Sequence, residues 1–353
     1  MNQDDFRKLI SGQREGLWPS ILRFLLLLVS MVYSAIIRTR NFLYNQGWLK
    51  RHHVEAAVIS IGNITTGGTG KTPFVIWVYN FLREKNIACA ILTRGYKTKK
   101  GQLSDEPAIL AKSCPGAKLI VNPDRAAGAA KAVSQFGCKA IVMDDGFQHR
   151  RLARDIDIVT IDATCPFGYG RSLPAGLLRE PVSALKRAQA VVITRCDQIE
   201  ETQLAELENK LRLVNSEMVI ARSIHTPVFA KYLANKELNL EELKGKNIFA
   251  FCGIGNPDAF LNTIKKAGLN LVGSKIYNDH HNYTIGDIDD IYEQALYLKA
   301  DLVLSTQKDW TKTILAATGK KDILFAYLAI EMKFTAGQSE LKQLIEETLA
   351  GKS

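Results

Sequence analysis

Val58–Phe74 reads VISIGNITTGGTGKTPF, and this stretch decides the fold class. It opens as an apolar, β-branched run, passes through a loop of glycine and threonine, and enters a helix near Lys71. Gly67, Gly68 and Gly70 let the backbone turn its N–H groups inward. Those donors, with the helix N-terminus, cradle phosphate oxygens. In such a loop Lys71 reaches the β- and γ-phosphates, and the Thr72 hydroxyl ligates Mg²⁺. The expected phosphate-binding residues are Thr65, Thr66, Gly67, Gly68, Thr69, Gly70, Lys71 and Thr72. The strict pattern GxxxxGK[ST] asks for glycine where Thr65 stands. Strand, loop, Gly70-Lys71-Thr72 and helix nevertheless follow in the required order.

On either side of the loop the pattern alternates. Short apolar runs at 57–61, 88–92, 118–121, 140–143, 156–161, 190–193 and 218–221 are separated by helical stretches at 73–85, 124–136 and 200–214. Alternation of this kind predicts a mostly parallel, P-loop NTPase-type α/β sheet. The stretch 222–246 is irregular, contains Pro227 and reads as a linker. A second βα series follows, with strands at 247–251, 271–276, 302–304 and 323–328 and helices near 257–267 and 285–298, which predicts a second, smaller α/β domain. The expected division is 1–53, an N-terminal membrane helix with its basic flank; 54–225, the nucleotide domain; and 226–353, linker and smaller domain.

Ala140–His149 reads AIVMDDGFQH. A strand ending in Asp144-Asp145 suits the second half of a phosphate-loop site, because a carboxylate at that strand tip can hold Mg²⁺ directly or through water. Neighbouring side chains of an extended chain point to opposite sides, so one of the two faces the metal. Asp145 is the expected ligand and Asp144 its support.

Upstream, Ile21–Ile37 reads ILRFLLLLVSMVYSAII, with Arg23 its one charge. Arg38, Arg40, Lys50 and Arg51 follow, with Tyr44 and Trp48 among them. This is the composition of a membrane interface. No small-residue cleavage site follows, which argues against a signal peptide. A buried core helix, a helix lying in the interface and a spanning helix remain open. If it spans, the positive-inside rule puts the rest of the chain in the cytoplasm.

The chain has 353 residues and a net charge of +10. Eight basic residues against three acidic ones in the first 53 account for half of that excess. The bias therefore belongs mainly to the N-terminal segment, and no nucleic-acid partner is expected. The six cysteines form no CxxC pair, which excludes a readable zinc knuckle and argues for reduced thiols.

Weaker signals remain. Ser104-Asp105-Glu106-Pro107 follows Lys97, Lys99 and Lys100 and reads as a helix N-terminus. Asp279-His280-His281 reads as a polar loop. Thr194–Asp197 is similar to the guanine-reading element of GTPases, with Arg195 in place of lysine. It leaves a GTPase-like switch as an alternative, beside a membrane-tethered ATP-binding scaffold. Gly168–Pro181 is a long loop whose arginines could clamp a phosphate.

Several of these stretches, taken in order, resemble the tetraacyldisaccharide 4′-kinase family, the lipid A 4′-kinases of Gram-negative bacteria. They are the apolar N-terminus, GNITTGGTGKTP at Gly62–Pro73, LTRGY at Leu92–Tyr96, SDEP at Ser104–Pro107, Asp124-Arg125, DDGFQHRRLARD at Asp144–Asp155, GRSLPAGLLREP at Gly170–Pro181, GIGNPDAF at Gly253–Phe260, DHHNY at Asp279–Tyr283 and TQKD at Thr306–Asp309. The resemblance covers nearly the whole chain, and Thr65 is itself similar to the family's loop. Gln307 departs from the more frequent TEKD, and that segment is not read as catalytic. The resemblance implies transfer of the γ-phosphate of ATP, with Mg²⁺, to the 4′-hydroxyl of a tetraacyldisaccharide 1-phosphate, giving lipid IVA in lipid A biosynthesis. It implies that Asp105 and His280 act together near the attacking hydroxyl, beside Lys71 and Asp145. Arg125, Arg171, Arg179 and Glu180 are the expected substrate contacts. The implied partners are the lipid A precursor and the inner membrane surface, on its cytoplasmic face.

Overall fold

Runs of Val, Ile and Ala with no polar face make stable strands where both sides of the sheet are covered. A computed structural model describes residues 3–95, 105–232, 236–317 and 322–352. Tyr96, Lys97, Lys99, Lys100 and Ser104 of the motifs above lie outside the described residues. The chain divides into two compact units, one of Met1–Ile224 with Phe334–Ser353, the other of His225–Lys333.

The first unit begins with helices α1 (Gln3–Ile10) and α2 (Leu17–Asn45). It continues through β1 (Ala57–Gly62), α3 (Lys71–Glu84), β2 (Cys89–Thr93), α4 (Asp105–Ser113), β3 (Lys118–Val121), α5 (Arg125–Phe136), β4 (Ala140–Asp144), β5 (Ile156–Asp162), β6 (Ala190–Thr194), α6 (Glu201–Val214) and β7 (Val219–Tyr232). The strands lie in the order β3-β2-β4-β1-β5-β6-β7, every pair parallel. Each residue of β1, β2, β4, β5 and β6 is buried, as expected of a sheet covered on both faces. From β1 the chain crosses through α3 to one side of the sheet, and after β4 it crosses to β5 on the other. The carboxyl ends of β1, β4 and β5 therefore flank a topological switch point, where open α/β sheets bind ligands.

Five strands run one residue past the last apolar residue. Those residues are Gly62, Thr93, Asp144, Asp162 and Thr194. Hydrophobicity stops a strand where the ladder of backbone hydrogen bonds does not, and these ends, four polar and one glycine, lie at the carboxyl edge of the sheet. Gly62 is required by close approach: a Cβ there would sit 2.5 Å from Phe147 Cβ and 2.7 Å from Phe147 N.

Among the described residues, most of the expected linker at 222–246 is regular structure. β7 runs unbroken for 14 residues through Arg222, His225 and Pro227, and β8 (Glu237–Asn239) pairs with it antiparallel, Phe229 opposite Asn239. The first residues of β7 belong to the apolar run at 218–221, and polar residues in half-buried positions hid the rest from a reading based on apolar runs. The second unit continues with α7 (Leu240–Leu243), β9 (Asn247–Cys252), α8 (Pro257–Lys266), β10 (Asn270–Ile276), α9 (Ile285–Tyr297), β11 (Leu302–Thr306), α10 (Gln307–Ala317) and β12 (Leu324–Ala336). Its parallel strands are ordered β10-β9-β11-β12. Alternate residues face opposite sides: Ile248 and Ala250 pack with Phe260 and Ile264, whereas Phe249 and Phe251 pack with Ile291 and Trp310.

The last helix, α11 (Gln338–Ala350), was expected within the smaller domain at 226–353 but groups with the first unit. Its contacts explain this. Phe334 lies 4.7 Å from the Trp77 ring of α3, Leu341 and Ile345 are buried, Glu346 pairs with Lys85 at 2.8 Å, and Lys352 pairs with Asp155 at 3.1 Å.

Residues 1–53 do not stand apart either. Ser30 Oγ donates to Ser172 O at 2.8 Å and Tyr33 OH to Arg179 O at 2.9 Å. Arg150 donates to Asn41 O and to Asn45 Oδ1. The opposite face of α2 is apolar and bare, with Met31, Val32 and Ile36 each 62% exposed.

Candidate active site

The glycine-rich loop joins β1 to α3. Gly67 (φ 110°) and Gly70 (φ 82°) adopt the left-handed backbone that side chains disfavour. A helix leaves the N–H groups of its first turn without intrahelical partners. Gly70 brings no capping side chain, so those N–H groups are the donors for an anion. Thr65 has no such conformation. Its backbone makes an antiparallel bridge with Leu178, flanked by bonds from Thr66 N to Leu177 O (2.8 Å) and from Arg179 N to Ile64 O (2.7 Å). Glycine is unnecessary at this position because the chain is extended there.

The loop is braced from below by residues that the motifs do not mark. Thr69 Oγ1 and Thr160 Oγ1 share a hydrogen bond of 2.8 Å, and Thr160 donates on to Gly62 O at 3.2 Å. Thr194 Oγ1 donates to Thr69 O at 3.1 Å. Arg195 donates to Gly68 O at 2.8 Å and to Asp162 Oδ2 at 2.5 Å. The Thr194–Asp197 element thus supports the phosphate loop through side chains at two strand ends, which is a role that needs no base.

Asp144 ends β4 and Asp145 follows it, and the two differ sharply. Asp145 has a left-handed backbone, φ 51°. Its carboxylate takes a two-pronged contact from Arg179 at 2.8 and 3.2 Å and lies 3.6 Å from Lys71 Nζ. Burial opposes its ionisation, but Lys71 and Arg179 outweigh burial and hold the carboxyl well below the usual carboxylate range. Asp144 is 2% exposed and accepts from Thr93 Oγ1 at 3.3 Å. Burial, then Glu106 and Asp145, push it up to about 7. A buried carboxyl raised in this way, next to a second carboxylate in the chain, offers oxygen donors of the kind Mg²⁺ takes. That ion takes one or two carboxylates and completes its shell with waters and phosphates. Among the described residues no cluster of three or more His, Cys, Asp or Glu side chains could hold a metal by itself.

The expected substrate residues do not form one group. Arg179 joins the acid pair and also donates to Asn63 Oδ1 at 3.1 Å. Arg171 is exposed on the loop that carries Arg179. Arg125 is 3% exposed and turns inward, donating to Asn122 O and to Asp144 O at 3.1 Å. It holds the end of β4. Glu180 is fully buried: Arg187 and Arg40 pair with it, and Asn41 Nδ2 donates to it at 2.7 Å. Its role is to fasten α2 to the body, because a carboxylate enclosed by two arginines has no surface left for a ligand.

Asp105 opens α4 in the first unit. His280 belongs to the loop after β10 in the second, with φ 61°, and its Nε2 lies 3.2 Å from Lys308 Nζ. Lys308 comes from the TQKD segment, which was not read as catalytic. Only the fold brings it to the histidine, 28 residues away in sequence.

A family profile described as tetraacyldisaccharide-1-P 4′-kinase matches residues 22–350. A tetraacyldisaccharide 4′-kinase of Halothermothrix orenii is 36% identical over 86% of each chain. One from an Anaeromyxobacter species is 36% identical over 96% of this chain and 95% of its own. A crystal structure of LpxK from Aquifex aeolicus in complex with ATP superposes with a TM-score of 0.70 at 28% identity, covering 93% of this chain and 99% of that one.

Proposed function

The chain belongs to the tetraacyldisaccharide-1-P 4′-kinase family, and from that premise we propose how its parts transfer the γ-phosphate of ATP to the 4′-hydroxyl of a tetraacyldisaccharide 1-phosphate, giving lipid IVA. The observation that carries this reading is the glycine loop with Lys71 Nζ set 3.6 Å from the Asp145 carboxylate, at the carboxyl ends of β1 and β4. The loop N–H groups and Lys71 bind the phosphates and offset the charge that spreads over the γ-phosphoryl oxygens. Thr72 and Asp145 hold Mg²⁺, with Asp144 in support. Bound there, Mg²⁺ supplies positive charge to the phosphate oxygens. Lys71 and Arg179 keep Asp145 ionised until then.

The acceptor hydroxyl is a poor nucleophile and must lose its proton as it attacks. Asp105 is the group that takes the proton and His280 assists it. The bond from the γ-phosphorus to the ADP oxygen breaks as the bond to the 4′-oxygen forms. Arg171 and Arg179 are cations for substrate or nucleotide phosphate. Arg125 and Glu180 serve through β4 and α2 instead.

The acceptor is a lipid, so the enzyme meets it at a membrane, on the cytoplasmic face of the inner membrane. The bare apolar face of α2 supports this. The same helix is bonded to the body from Ser30 to Asn45. The remaining stretch Leu17–Val29 rises only about 20 Å at ~1.5 Å per residue, short of the ~30 Å hydrocarbon core. An α2 lying in the interface accounts for both facts.

The test is transfer of label from γ-labelled ATP to purified disaccharide acceptor, followed by thin-layer separation. Label reaches the lipid in wild type, and Lys71→Ala and Asp145→Ala each lose at least ~100-fold in turnover. Asp105→Asn and His280→Ala lose on the order of 10²-fold. ATP binding with no labelled lipid would sink the assignment, and wild-type turnover in any one variant would remove that residue's role.

A further inference from the structure

Two segments meet around His280. The loop bearing it is tied down by backbone bonds: Tyr277 N to Cys252 O (2.8 Å), His280 N to Gly253 O (3.1 Å) and His281 N to Asn278 O (3.0 Å). His281 stacks on Tyr277 with ring centroids 4.5 Å apart. The start of α10 is tied down as firmly. Asp309 is fully buried and accepts from Thr306 Oγ1 at 2.6 Å and from Tyr283 OH at 3.0 Å. Trp310 beside it is in the core. Lys308, one residue before Asp309, is thereby carried to the histidine loop, where Nζ lies 3.0 Å from Asp279 Oδ1 and 3.2 Å from His280 Nε2.

An ammonium group has three donors and no acceptor. The Nε2 that faces it therefore presents its lone pair, and the ring proton sits on Nδ1. We propose that Lys308 is a positioning residue for the kinase reaction: it holds His280 in the neutral, Nδ1-protonated tautomer, and Asp279 anchors the ammonium. This deepens the acid–base reading of His280 and rests on it. A neutral imidazole with hydrogen on Nδ1 can donate to a carboxylate, which is what assistance to an acidic base requires. A single Lys–Asp pair at the edge of the core contributes little to stability. The fold therefore tolerates loss of Lys308, and the effect of that loss falls on the histidine.

The experiment has two arms on the full chain. In ¹⁵N-histidine NMR, wild-type His280 shows a pyridine-type Nε2 and a pyrrole-type Nδ1, and Lys308→Met loses that assignment while its melting curve stays that of wild type. A pyrrole-type Nε2 in wild type, or an unchanged ring in Lys308→Met, overturns the proposal. In the kinase assay, Lys308→Met lowers kcat on the order of tenfold, part of the ~10²–10⁴ that a positioned acid–base group supplies. Acceptor KM stays within about twofold, as for an interaction made only in the transition state. Lys308→Arg, which keeps charge and donors, recovers part of the loss. Added to His280→Ala, Lys308→Met has no further effect, as expected of residues that act as one unit; a full additional loss overturns the proposal. Wild-type kcat in His280→Ala would instead overturn the acid–base reading and the kinetic role of Lys308 with it, and the NMR arm would then decide the tautomer alone.

Discussion

Thr65 occupies the place of a glycine in the usual phosphate loop, and its surroundings say why. Its backbone is bridged to Leu178 in an extended conformation, so a glycine there would add freedom to the unfolded chain and gain nothing in the folded one. Thr65→Gly is expected to lower stability by about 0.5–1 kcal/mol with nucleotide affinity little changed. Chemical denaturation and nucleotide titration check the two parts separately. His149 carries a pH effect at the same scale. Burial, then Arg125 and Arg154, lower it from 6.5 to about 4, against a smaller opposing pull from Asp124. The unfolded chain therefore binds the proton between those values and the native chain does not. Stability contributed by the neutral ring is present above pH 6.5 and is lost as pH falls toward 4. Melting curves across that window should flatten in His149→Gln relative to wild type. An unchanged slope would mean that other groups set the acid limb.

Elements were legible wherever apolar runs marked them, and they ended early wherever function began. β2, β4, β5 and β6 each extend to a polar residue, and β1 to Gly62, and these ends serve the site or its support. A reading based on hydrophobicity stops just before them. The brace under the loop is built from these ends. Asp162 and Arg195 form a buried pair at 2.5 Å, and Arg195 also holds Gly68 O. Removing one member of a buried pair leaves an uncompensated charge and costs about 3–5 kcal/mol. Arg195→Met should therefore lose that much stability and loosen nucleotide binding, measured by denaturation and by ATP titration. Stability equal to wild type would show that the pair is solvated and that the brace lies elsewhere. β7 is legible only at its start, in the run 218–221, for the converse reason: its mostly half-buried continuation carries arginine, histidine and proline, which a search for apolar runs reads as a break.

At the scale of the molecule, α2 combines two surfaces with opposite demands. One side is bonded through Ser30, Tyr33, Arg40 and Asn41 to the loop that also carries Arg179. The other exposes Phe24, Leu28, Met31, Val32 and Ile36. Burying those side chains in lipid at ~25 cal/mol per Å² of apolar surface favours membrane docking with no change in the fold. A Val32→Asp/Ile36→Asp double variant should lose sedimentation with anionic vesicles while its melting curve and soluble ATP binding stay as in wild type. Retained sedimentation would move the membrane contact to another surface.

The phosphate loop, the parallel α/β framework, the acid pair, the apolar helix and the family are all legible in the order of the amino acids. Each of these is a short-range pattern: a spacing of glycines before a lysine, apolar runs alternating with helical stretches, a run of leucines. Tertiary structure alone decided what the charged residues do. Glu180 looked available to a substrate, but Arg40, 140 residues away, encloses it. Arg125 turned inward to β4, Arg179 outward to Asp145, and α11 crossed back to the first unit. Lys308, in a segment set aside as non-catalytic, came to rest on His280. Partners so far apart in the chain meet only when the strands pair in register and both faces of the sheet are covered. Composition and spacing reveal which chemistry is available, and the closed fold assigns it to residues.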